Sequence, residues 1–87
     1  MKTIILNHRV KDFTSWKKIY DADTDRRNKA GMKQIALGTK QDDKHEVYIV
    51  FQTDNPGGIQ KMMKDPELSE LQKKAGVVRG PEVIVLD

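Results

Sequence analysis

The run Val47-Tyr48-Ile49-Val50-Phe51 restricts the fold more than any other feature of the chain. Its residues are β-branched or aromatic and polar positions flank it, so it reads as a strand over Glu46 to Thr53. Side chains in a strand alternate between the two faces of a sheet. This strand is therefore apolar on both faces, and both must be covered.

The rest of the chain supplies cover for one face. Thr3 to Val10 reads as a first strand. Asp12 is a good helix N-cap, and Phe13, Trp16, Ile19 and Tyr20 recur at helical spacing. That helix is expected to run to about Lys29 and to end at Ala30-Gly31-Met32, with Gly31 in the left-handed position after it. Within it, Asp23 and Arg27 are spaced to pair. Ile35, Leu37 and Thr39 alternate with Gln34, Ala36 and Gly38 in a second strand, and Gln41 to Lys44 forms a polar turn. Asn55-Pro56 opens a second helix whose buried side carries Ile59, Met62 and Met63. Asp65-Pro66 repeats the start signal, so this helix breaks and restarts, with Leu68, Leu71 and Ala75 as its stripe. Ala75-Gly76-Val77 ends it, and Pro81 opens a last strand over Glu82 to Leu86.

The order is β-α-β-β-α-β, one domain over residues 1–87 of ferredoxin-like α+β class. Both helices then lie on one face of an antiparallel sheet. The other face is left bare, yet it is apolar at several strands whichever parity faces the helices. A soluble monomer rarely leaves so much apolar surface wet. A second copy packed sheet against sheet is the expected remedy.

Composition removes several function classes. Cysteine is absent, which excludes disulfides, thiol catalysis and thiolate metal sites and fits a cytoplasmic protein. Charged residues recur throughout, so no membrane span is expected, and Met1 to Val10 lacks the flanks of a signal peptide. A net charge of +3 permits acidic partners without demanding them. Asp42-Asp43-Lys44-His45-Glu46 lacks the spacing of a calcium loop and offers one His, so it reads as a solvated turn and no metal is expected. No cofactor motif is visible. RNA-recognition domains share this element order but need stacking aromatics on the first and third strands. The first strand has none, and nucleic acid is not an expected partner.

Val10, Asp12, Phe13, Trp16, Lys17, Tyr20 and Asp21, at their spacing, resemble small proteins of the dimeric α+β barrel superfamily. Arg27 with Ala30-Gly31, Glu46-Val47, Pro66-Glu67-Leu68, Ala75-Gly76-Val77 and Pro81-Glu82-Val83 extend the resemblance over nearly the whole chain. That superfamily includes antibiotic-biosynthesis monooxygenases, polyketide-cyclase-like proteins and stress-responsive barrels. The resemblance implies a homodimeric barrel. Gly57-Gly58, where helix formers are usual, and Asn7, where an Arg often precedes the His, depart from the pattern.

The candidate site residues follow from alternation. His8 shares a face with Ile4, Leu6 and Val10 and is expected to be a hydrogen-bonded core His; a strand irregularity near it would instead make it a lumenal acid or base. Asn7 and Arg9 face the other side, where Tyr48 and Gln52 can join them to bind a small aromatic or oxygenated molecule between the two sheets. Strand carboxylates are scarce, Glu46 and Glu82 apart, which favours Arg9 as the group that orients such a ligand; the competing reading pairs Arg9 with a carboxylate of the second copy. Trp16 and Tyr20 read as core. An enzyme of the superfamily's cofactor-free kind would use His8 and Tyr48 as catalytic candidates.

Overall fold

A computed structural model describes all 87 residues. The elements are β1 (Lys2–Val10), α1 (Phe13–Ala22), α2 (Thr24–Lys29), β2 (Lys33–Lys40), β3 (Asp43–Thr53), α3 (Pro56–Met63), α4 (Pro66–Lys74) and β4 (Val77–Leu86). The four strands form one antiparallel sheet in the order β2-β3-β1-β4. The helices cover one side of it, as the ferredoxin-like reading requires.

Parity is settled by burial. Ile4, Leu6, His8 and Val10 of β1 and Val47, Ile49, Phe51 and Thr53 of β3 are all buried, beneath the helices. Trp16 of α1 and Ile59 of α3 pack onto them. Thr3, Ile5, Asn7 and Arg9 therefore share the open face with Tyr48, Val50 and Gln52. The pairs Ile5–Val50 and Ile5–Ile84, with Ala36 beyond Val50, place an apolar centre on that face.

The expected first helix is two helices. It breaks at Asp23, whose backbone N–H turns back to the Tyr20 carbonyl. Thr24 Oγ1 donates to the Asp21 carbonyl at 2.7 Å. Short polar side chains compete for helical backbone groups in this way, and a run of Asp21, Asp23 and Thr24 concentrates the competition. The break also rotates Arg27 away from Asp23. Asp23 pairs instead with Arg26, at 3.1 Å.

The strands extend beyond their expected ends. β3 starts at Asp43, leaving Gln41 and Asp42 as the turn. A bulge between Gln34 and Ala36 makes Ile35 the extra residue, so Gln34, not Ile35, lies opposite Phe51. β4 begins at Val77 rather than after Pro81 and carries two register shifts against β1. Gly80, at φ 104°, occupies the first of them; a Cβ there would lie 2.6 Å from the Asn7 carbonyl oxygen. The irregularity belongs to β4, because β1 and β3 stay in register from Lys2 to Arg9. His8 consequently keeps its helix-side orientation.

The caps follow the sequence. Asp12 accepts from the Ser15 N–H at 2.9 Å, Asn55 from Gly58 and Asp65 from Glu67. Gly31 and Gly76 hold positive φ after the helices. Gly58 explains its own departure from a helix former: a Cβ would sit 2.9 Å from the Ala30 carbonyl oxygen. The α3 backbone approaches the end of α2 at that point.

Candidate functional site: a cavity under the helices

Three aromatic side chains line up along α1. Phe13 and Trp16 lie 5.8 Å apart between ring centroids, and Trp16 stacks on Tyr20 at 4.8 Å with 25° between planes. Spacings of three and four residues put them on one helix face. Arg27 ends the row, its guanidinium carbon 3.6 Å from the Tyr20 ring centroid. Arg27 also donates to the Tyr20 carbonyl and to Thr24 Oγ1, at 2.8 and 3.2 Å. Tyr20 itself donates to Gln34 Oε1 at 2.7 Å, and burial pushes its hydroxyl up to about 12.

Beside this row lies a cavity of about 60 Å³. Leu6, His8, Ile49 and Phe51 of the sheet form its floor. Trp16 and Tyr20 form one wall, and Met62, Met63, Leu68 and Leu71 the other. Asp23, Arg27 and Gln72, polar and half-buried, mark its mouth between α2 and α4.

His8 is the polar group in the floor. It is 5% exposed, its ring centroid is 5.9 Å from that of Trp16, and its Nδ1 has no hydrogen-bond partner. The expected hydrogen-bonded core His is thus corrected: the residue is core, but no group around it, the Trp16 indole N–H included, hydrogen-bonds to Nδ1. Burial pushes its imidazole down to about 4, so it is neutral at physiological pH.

The open face gives a different picture. Asn7, Arg9 and Tyr48 are neighbours there, with Gln52 two pairs away along β3. Arg9 donates to Asp43 at 3.0 Å and lies 3.6 Å from Glu46. The expectation that Arg9 must look to a partner chain or a ligand for its counter-charge is corrected: Asp43, placed in the turn by sequence, is a strand residue within reach. Hydrogen bonds from Arg9 and from the His45 N–H hold the Asp43 carboxyl below the usual carboxylate range. Asn7 Nδ2 donates to the Val47 carbonyl at 3.1 Å, and its Oδ1 accepts from Arg79. Arg79, unremarked in the sequence, also donates to Glu46 at 2.6 Å. Tyr48 is 40% exposed. His45, the other imidazole, places Nδ1 2.9 Å from the Val10 carbonyl.

Sequence reasoning missed the second wall of the cavity. Met62, Met63 and Leu71 were legible as a helix stripe, but nothing in a stripe says that it stops short of its neighbour. It also missed Arg26, which joins Asp23 to Asp65 and Glu67 of the other helix pair.

Solved structures of the same fold are numerous. A Bordetella bronchiseptica protein provisionally assigned to the antibiotic biosynthesis monooxygenases superimposes with a TM-score of 0.78 at 12% identity, covering 99% of this chain and 94% of its own. SnoaB, a cofactor-independent oxygenase from Streptomyces nogalater, gives 0.72 at 9% identity, covering 99% and 90%. An uncharacterised NIPSNAP domain protein from Burkholderia xenovorans gives 0.73 at 12%, covering 100% and 93%. At such identities the likeness establishes the fold, which this chain shares with antibiotic-biosynthesis-monooxygenase-like proteins, and not a shared reaction. No protein of curated function matches the chain. Residues 1–80 match the profile of a single sequence family, and the chain belongs to it: the family described as Domain of unknown function (DUF3764).

Proposed function

We propose that the protein is a homodimer, joined sheet to sheet, in which each protomer binds one small aromatic molecule bearing a hydroxyl group in the cavity beneath its helices. The observation that carries this reading is His8, which lines a largely apolar cavity and whose buried Nδ1 has no hydrogen-bond partner. A buried polar atom without a partner is costly, and ligand sites are apolar pockets with a few such groups. A hydroxyl both donates and accepts, so it satisfies Nδ1 in either tautomer of the neutral ring.

The space between the sheets is the weaker candidate. Asn7 and Arg9 are already paired within the chain, and Tyr48 with Gln52 alone would have to hold a ligand there. The dimer rests on the apolar centre of the open face, where Ile84 and Leu86 are half-exposed beside Ile5 and Val50.

Binding is favoured over catalysis. A general base works best with a pKa near the operating pH, and the His8 imidazole at about 4 is far below it. A cofactor-free oxygenase or cyclase would need a stronger base.

Titration with 4-fluorophenol and with 4-fluorotoluene, followed by ¹⁹F NMR, tests the reading. The phenol is expected to bind more tightly, by the roughly 1 kcal/mol that an added hydrogen bond contributes. Absence of binding by both compounds would remove the proposal.

A further inference from the structure

The cavity is lined from both helix pairs, α1/α2 and α3/α4, and two contacts bridge them. One is the close approach of Gly58 to the Ala30 carbonyl. The other is Arg26. Its side chain is 20% exposed and reaches across from α2. Nε donates to both carboxylate oxygens of Asp23, at 3.3 and 3.1 Å, and Nη1 donates to Asp65 at 2.6 Å. Glu67 lies 3.7 Å from Nη2.

The partners sit at structural junctions. Asp23 is the break between α1 and α2 and lines the cavity. Asp65 caps α4, whose residues Leu68, Leu71 and Gln72 form the opposite rim. One guanidinium thus ties together the two sides of the opening.

We infer that the Arg26 cluster is a latch across the cavity mouth, which controls exchange between the cavity and solvent. This rests on the cavity being a ligand site, and it assigns the control of access to it. Two features favour a latch over a purely stabilising contact. An ion cluster this open to solvent, with Asp65 37% and Glu67 81% exposed, contributes little net stability. The cluster is also unbalanced, three carboxylates to one cation. When Arg26 lets go, Asp23 and the pair Asp65 and Glu67 repel one another across the gap. The closed and open arrangements are therefore both definite.

The buried Trp16, the only tryptophan, reports on access without any ligand. Acrylamide quenching of its fluorescence should rise about two- to five-fold in Arg26→Met, the factor expected for a modest ion pair. Arg26→Lys should fall between. In the wild type, quenching should increase as NaCl is raised to the molar range, because screening weakens the cluster; in Arg26→Met the salt dependence should vanish. Exchange of bound 4-fluorophenol, read by ¹⁹F line shape, should quicken in parallel. Unchanged quenching in Arg26→Met, with no salt dependence in the wild type, overturns the latch. If Arg26→Met fails to fold, the wild-type salt series and Arg26→Lys decide alone. Quenching that responds while no fluorinated probe binds would retain the latch and sink the ligand reading instead.

Discussion

The two faces of the sheet handle polar groups in opposite ways. On the open face, charges are plentiful and satisfied: Arg9 by Asp43, Arg79 by Glu46, Asn7 by backbone and Arg79. On the helix-covered face the polar inventory is short, yet His8 is left without a partner at Nδ1. The contrast argues that polarity alone is a poor guide to a site. A charged cluster whose members answer one another has nothing left for a ligand, whereas one buried imidazole among apolar neighbours has an unmet demand. The apolar content differs as well. Val47, Ile49 and Phe51 of the helix face are shut away beneath Trp16 and Ile59, whereas on β4 Val83 and Val85 of that face stay half-exposed, as do Ile84 and Leu86 of the open face. One face looks inward to a small cavity, and the other is the one proposed to meet a second copy.

The sharpest way to break this contrast is to place a charge on the open face. Val50→Asp should turn the proposed dimer into a monomer in sedimentation at micromolar concentration, because each protomer would bury an uncompensated charge at a cost of roughly 3–5 kcal/mol. A variant that still sediments at twice the chain mass would show that the open face is not the interface.

Trp16→Ala attacks the other face. Trp16 is buried against His8, Phe13 and Tyr20, and its truncation should cost roughly 3–5 kcal/mol in urea unfolding. A cost below about 1 kcal/mol, as for a surface change, would mean the helix layer is loosely held.

Acidification probes the unmet imidazole. The His8 pKa is depressed in the fold to about 4, from 6.5. Between those values the unfolded chain takes up a proton that the folded chain refuses, so stability falls as pH falls through that window. Its full loss is about 3 kcal/mol once pH lies below the folded value. Above pH 6.5 the group contributes no slope. The slope should be absent in His8→Leu, and bound 4-fluorophenol should extend it to lower pH in the wild type by favouring the neutral ring.

The smallest effect is expected from Arg9→Met. Arg9 lies in a half-exposed ion cluster, and such clusters contribute little. Urea midpoints should move slightly, and binding of 4-fluorophenol should be unchanged. Weakened binding would return the site to the space between the sheets, where Asn7, Arg9, Tyr48 and Gln52 were first expected to hold a ligand.

While the parity of β3 waited on burial, the sequence by itself determined the element order, the caps and the parity of β1. Each is a local matter: Asp12, Asn55 and Asp65 satisfy backbone N–H groups a few residues away, and alternation needs only neighbouring residues. The fold class and the burial of Trp16 follow from the same short-range patterns. Tertiary structure alone decided the rest. Asp43 meets Arg9 across 34 positions of sequence and Asp65 meets Arg26 across 39, distances over which periodicity carries no information. The break at Asp23 was a contest between side-chain and helical hydrogen bonds too close for propensity to settle. His8 could be assigned to the buried face from alternation, but not its lack of a partner. An absent hydrogen bond is a property of everything that surrounds an atom, and only the packed structure brings those surroundings together.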